Sequence, residues 1–121
     1  MLTGDFNIAP RDEDVWDIEA FRGKTHVTEP ERAAFQMLEE AGLEEVTRRF
    51  TQDQRYTYFD YKGMRFQKNE GMRIDFQLAS APLAQLVTGA QVDMVERAGD
   101  KTSDHCLLIA DYDLPDFDSV R

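Results

Sequence analysis

A chain of 121 residues has the length of one domain and can bury a single core. With 41% hydrophobic and 31% charged residues it reads as soluble and globular, and no apolar run reaches the length of a helical bilayer span; the start Met1-Leu2-Thr3-Gly4-Asp5 lacks the basic-then-apolar pattern of a secretory leader. The net charge of -10 repels phosphate as a whole, and a single cysteine, Cys106, excludes an internal disulfide and a thiolate zinc site, which points to a reducing, cytosolic setting.

In chain order, a short apolar stub, Met1-Leu2, runs into Gly4-Asp5-Phe6-Asn7, and 12–19 reads as an acidic loop around Val15, Trp16 and Ile18. Thr28 and Glu31 have capping-box spacing, Pro30 suits a first turn and Gly42 a stop, so a helix is expected between them with Ala34, Phe35, Leu38 and Ala41 as its apolar stripe. Short strands follow: 46–50, then 56–61, then 73–79, where Ile74, Phe76 and Leu78 alternate with Arg73, Asp75 and Gln77. Lys62-Gly63 reads as a turn and 68–71 as a loop. Ser80-Ala81-Pro82 opens a short helix ending at Leu86 or Val87, and 90–95 is a fourth strand. The most apolar run, Cys106 to Ala110, reads as a central strand, and the acidic tail from Asp111 to Asp118 as frayed. The class is α/β (α+β): one mixed, mostly antiparallel β-sheet with helices on one side, over residues 1–112, with 113–121 as a tail. Repeats and linkers are absent from the sequence.

Charge is uneven along this frame. From Arg48 to Arg73, seven basic residues accompany only three acidic ones and are interleaved with Phe50, Tyr56, Tyr58, Phe59, Tyr61 and Phe66. Such a strip can hold a phosphate backbone by charge and bases by stacking. A solvated sheet face with cross-strand aromatics accounts for it equally. Three segments carry chemistry near strand ends. In Gly4-Asp5-Phe6-Asn7, alternation sends a carboxylate and an amide to one side. Arg73-Ile74-Asp75 places an acid between apolar neighbours, and Ser103-Asp104-His105 sets a carboxylate beside an imidazole. Asp5 and Asp104 are hard oxygen ligands suited to Mg²⁺, and Mn²⁺ fits the same ligands. A carboxylate near a metal-bound water can orient or deprotonate it, and an imidazole paired with a buried Asp can face a phosphoryl oxygen.

With these blocks in this order, the sequence resembles the exonuclease III and AP-endonuclease family of the endonuclease/exonuclease/phosphatase superfamily. The resemblance rests on Gly4-Asp5-Phe6-Asn7-Ile8-Ala9-Pro10, Glu31-Arg32 with Gly42-Leu43, Tyr56-Thr57-Tyr58-Phe59-Asp60-Tyr61, Gly71-Met72-Arg73-Ile74-Asp75 with Leu78-Ala79-Ser80, and Ser103-Asp104-His105. It implies metal-dependent DNA phosphodiester hydrolysis, at abasic sites or 3′ ends. By resemblance Asp5 and Asn7 position the attacking water and hold the phosphate. Asp75 orients His105, which contacts the scissile phosphate, and Asp104 with Asp5 binds Mg²⁺. Tyr58 lies against the sugar, where the family commonly has Trp, and Arg73 joins the substrate-binding set with Asn7, Tyr58 and His105.

The resemblance also implies that every matched residue belongs to the second half of a two-sheet α/β sandwich. The first half carries the family's glutamate metal ligand and active-site tyrosine. A half sandwich should expose an apolar sheet face. The expectation is therefore that the other half comes from a separate chain, a second copy as a C₂ homodimer, or the remainder of a longer protein; the alternative is a non-catalytic remnant or binding module. His26 has no evident partner and reads as a loop residue, and Cys106 as a small core residue.

Overall fold

The structure is a computed structural model described over residues 1–115. Its elements in chain order are β1 (Leu2–Asp5), α1 (Ile18–Phe21), α2 (Glu29–Glu40), β2 (Leu43–Glu45), β3 (Asp75–Ser80), α3 (Ala81–Ala84), β4 (Val87–Asp93), α4 (Met94–Arg97) and β5 (Leu107–Tyr112), with 3₁₀ turns at Asp12–Asp14, Arg48–Phe50 and Lys62–Met64. The α/β class holds, and every strand pair is antiparallel. β3 lies between β1 and β2, with Asp5 opposite Asp75 and Leu43 opposite Ser80. The expected single sheet is divided, because among the described residues β4 and β5 pair only with each other. Side chains join the two sets: Gln77 donates to the Leu108 carbonyl at 3.2 Å and accepts from the Tyr112 hydroxyl at 3.2 Å.

Alternation along β3 explains the layers. Ile74, Phe76 and Leu78 are fully buried, and Phe76 and Leu78 pack on Phe35 with Phe6, Ile8, Leu38 and Leu43. Ala79, on the opposite face, packs on Val46, Ala84 and Val87. Helices therefore cover both faces of β3, α2 on one and α3 on the other, rather than one side only. The expected α2 stripe narrows to Phe35 and Leu38, since Ala34 and Ala41 are exposed. Glu31 reaches back to the Thr28 hydroxyl at 2.6 Å, as its capping spacing predicts.

Other segments depart for local reasons. The strand expected over 46–50 ends at Glu45. The Glu45 carboxylate takes the N–H groups of Thr47 (2.9 Å) and Arg48 (2.8 Å), which a ladder would need, and the chain winds into a 3₁₀ turn. The 56–61 segment is extended but irregular: Thr57 and Tyr58 both donate to the Met72 carbonyl, a local bulge, and Tyr58 bridges Met72 and His105. β4 runs 87–93 rather than 90–95, and 94–97 turn into α4 through an Asp93 cap at 3.1 Å. β5 is an edge strand with Leu107 55% exposed, not a buried central one. Asp111 and Tyr112 belong to it, so the tail is tied in that far; 116–121 lie outside the described residues. Among the described residues, the large exposed apolar side chains are Met1 and Leu2 at the start of β1, Leu107 on β5, and the scattered Met37, Tyr61, Met64, Val95 and Leu114.

Gly71 is required by space. A Cβ there would sit 2.6 Å from the Tyr58 carbonyl and 2.7 Å from the Phe59 ring. Gly71→Ala is expected to destabilise the chain by about 2 kcal/mol, the cost of overpacking a close backbone contact. A urea midpoint unchanged from wild type would contradict this packing.

Candidate active site

The site forms where β1 ends, β3 begins and the 103–106 segment passes. β1 stops at Asp5 because the next residues turn: the Asn7 N–H donates to Asp5 Oδ1 at 2.8 Å and Asn7 takes a left-handed φ of 54°. Asp5 and Asn7 are thus joined by an Asx turn, not aligned by strand alternation. Asp75 stands opposite Asp5 across the ladder. Thr57 Oγ1 fixes this strand end by accepting from the N–H groups of Ile74 (3.1 Å) and Asp75 (3.2 Å). The 103–106 segment is anchored to the 57–59 segment, as Phe59 donates to the Asp104 carbonyl at 2.9 Å and Cys106 to the Thr57 carbonyl at 2.7 Å.

These anchors bring His105 between the carboxylates. Its Nδ1 lies 2.9 Å from Asp75 Oδ2, and Nε2 lies 3.5 Å from Asp5 Oδ2 and 4.0 Å from Asp104 Oδ1. Nδ1 donates to Asp75, which leaves Nε2 facing the opening between Asp5 and Asp104. The Tyr58 ring stands edge-on to the imidazole with centroids 5.2 Å apart. Burial pushes the Asp75 carboxyl above its usual range and the Asp5 charge adds to this, against the hydrogen bonds of His105 and Thr57. Burial likewise raises the Tyr58 phenol.

The donor set fits a hard divalent cation. Three carboxylates around one imidazole leave a negative surplus. Asp75 is occupied by His105, whereas Asp5 and Asp104 keep side chains 35% and 34% exposed. By distance alone, the tightest possible ligand group among the described residues is Asp5, Asp75 and His105. Asp104 lies outside that group; with Asp75 taken up by His105, Asp5 and Asp104 are the carboxylates that could offer oxygen to a divalent cation.

Two expectations are placed differently. Arg73 is fully buried; its guanidinium donates to the Arg55 carbonyl (2.9 Å) and Thr47 Oγ1 (2.8 Å), so it braces the 47–55 segment and has no exposed surface to offer a substrate. The basic strip does not form one face either. Arg48 is held bidentately by buried Asp14 at 2.6 and 2.9 Å, and Arg65 pairs with Glu70 and stacks over Trp16. These three cations are consumed by local structure. Cys106 is a buried thiol raised to about 11, and so an inert core residue as expected.

His26, read as an unpartnered loop residue, is tied to the site. Its Nδ1 lies 2.7 Å from the Asn7 carbonyl, and it lines a cavity of about 390 Å³ together with Trp16, Phe21, Tyr58, Arg65 and Met72. No local signal marks this, since the two residues are nineteen apart in sequence.

Comparison with known proteins bears on the family and the fold. The model of the Endonuclease/Exonuclease/phosphatase family matches residues 1–105. Exodeoxyribonuclease III of Haemophilus influenzae is 33% identical over 120 residues, which cover 93% of this chain and 45% of that protein. Among solved structures, the 3′ phosphatase NExo from Neisseria, bound to a product DNA hairpin, matches with a TM-score of 0.87 and 39% identity over 93% of this chain and 44% of the other. An AP endonuclease from Archaeoglobus fulgidus matches with a TM-score of 0.85 and 30% identity over the same shares. The chain therefore spans less than half the length of these relatives.

Proposed function

The chain belongs to the Endonuclease/Exonuclease/phosphatase family, and from that premise we propose that it carries one half of the active site of a metal-dependent DNA phosphodiesterase of the exodeoxyribonuclease III and AP-endonuclease type. The observation that carries this reading is the Asp5, His105 and Asp75 array where β1 ends and β3 begins. Asp75 holds His105 through Nδ1 so that Nε2 meets a phosphoryl oxygen. Asp5 orients the attacking water and accepts its proton, and Asn7 helps hold the phosphate. Asp5 and Asp104 would hold Mg²⁺ or Mn²⁺, which supplies charge neutralisation at the phosphate. Tyr58, at the rim of the cavity, is the surface for the sugar of an abasic site or a 3′ terminus. Duplex DNA is the partner in this reading, and a further polypeptide half or a second copy completes the site. The chemistry fits a cytosolic setting, with Cys106 as a free thiol.

The test is cleavage of a duplex with one abasic site, in Mg²⁺ and in EDTA. Asp5→Asn is expected to lower metal-dependent cutting by at least about 10³-fold, because it removes a proton acceptor and a metal ligand together. Equal background in wild type and Asp5→Asn would reject activity of this chain on its own and move the search to the half that completes the site.

A further inference from the structure

We infer that His26 is a positioning residue that carries the rigidity of the α2 N-terminus to the Asp5–Asn7 turn. Its Nδ1 faces a carbonyl at 2.7 Å, and a carbonyl oxygen only accepts, so Nδ1 carries the proton and donates to Asn7. His26 itself stands at φ 81°, a conformation rare for a residue with a side chain. Two contacts hold it there. Its N–H donates to both Glu31 carboxylate oxygens at 3.0 Å, and its carbonyl accepts from the Ala9 N–H at 2.9 Å. The same Glu31 carboxylate caps α2 through Thr28, and these hydrogen bonds hold it below its usual pKa.

The connections form one chain. The α2 cap fixes Glu31, Glu31 fixes the His26 backbone, and the His26 ring fixes the Asn7 carbonyl. Asn7, left-handed at φ 54°, then presents its N–H to Asp5 Oδ1 at 2.8 Å, and Asp5 Oδ2 is the oxygen facing His105. Without the imidazole, a left-handed Asn on an exposed turn has no long-range tether among the described hydrogen bonds of its carbonyl. A strained residue held by this many contacts marks a place where the surrounding structure enforces a geometry. The inference takes Asp5 as a site residue from the proposed function, while the tether itself stands on geometry alone.

Two variants isolate the tether from folding. His26→Gly accepts the positive φ freely and deletes the donor; His26→Asn tolerates the same φ and offers an amide N–H where Nδ1 stood. On the whole chain without metal, amide exchange of Asn7 is read by NMR, followed by Mg²⁺ titration watched at Asp5 and Asp104. His26→Gly is expected to speed Asn7 exchange about tenfold, the loss of one hydrogen bond, with a melting temperature near wild type, and His26→Asn to restore most of the protection. Mg²⁺ affinity is expected to follow the same order. Unchanged Asn7 exchange in His26→Gly, or His26→Asn as fast as His26→Gly, would overturn the inference. Wild-type protein that binds no Mg²⁺ would overturn the metal reading alone, because the exchange comparison still decides the role of His26.

Discussion

Arg73→Ala is expected to lose about 3 kcal/mol of stability, a large share of the 5–15 kcal/mol that holds a domain of this size. Arg73 is the largest fully buried side chain among the described residues, and its two donated hydrogen bonds tie the 47–55 segment to the start of β3. Alanine would leave a cavity beside Phe76 and strand the Arg55 carbonyl, while the Thr47 hydroxyl would keep only its bond to Glu45. No carboxylate within ion-pair distance compensates the guanidinium among the described residues, its Nε lacks a partner, and burial pulls its pKa down. An apolar side chain of similar length therefore substitutes better than a small one: Arg73→Met is expected to recover more than half of the loss. Urea midpoints with unchanged slopes measure both. If Arg73 instead contacted substrate, Arg73→Ala would keep its midpoint and lose only DNA affinity.

Arg73 also shows what the sequence could and could not convey. The alternation through Ile74, Phe76 and Leu78 and the capping pair Thr28 and Glu31 were legible, because period and cap spacing are local. Arg73 occupies the polar phase of that alternation, and the resemblance places it in the substrate-binding set. Only the fold brings Thr47 and the Arg55 carbonyl over it. The 46–50 strand failed for a comparable reason. Thr and Val favour a strand, but the Glu45 side chain captures the next N–H groups, and propensity says nothing about that competitor. The site was legible in its residue types at Asp5, Asp75, Asp104 and His105. What remained hidden was the Asx turn at Asn7 and the His26 tether, whereas the pairing of Asp75 with His105 comes from the resemblance and not from spacing. Both long-range contacts join residues 30 and 19 positions apart. Sequence spacing carries no information at that range.

Asp75→Asn is expected to separate stability from function in one substitution. Burial makes the Asp75 carboxylate costly in the folded chain, and its pKa lies above the ordinary value. The native state therefore holds a proton that the unfolded chain has already released, so this group's contribution to stability is present below the ordinary carboxylate range and lost as pH rises through the folded value. A neutral amide escapes that loss and can still accept from His105 Nδ1. In EDTA, wild type is expected to lose stability relative to Asp75→Asn on going from about pH 4 to pH 7, by on the order of 1 kcal/mol, the scale of one buried polar interaction. Cleavage should move the other way. The introduced amide can equally donate to Nδ1, which turns the imidazole to the wrong tautomer, and it lacks the negative charge that steadies the ring, so metal-dependent cutting is expected to fall by roughly 10²–10⁴-fold. Thermal melts across pH and abasic-site cleavage on the same samples measure the two effects. A variant that is less stable than wild type at pH 7, yet cuts normally, would mean that the Asp75–His105 contact is structural and that Asp5 and Asp104 must organise the chemistry without it.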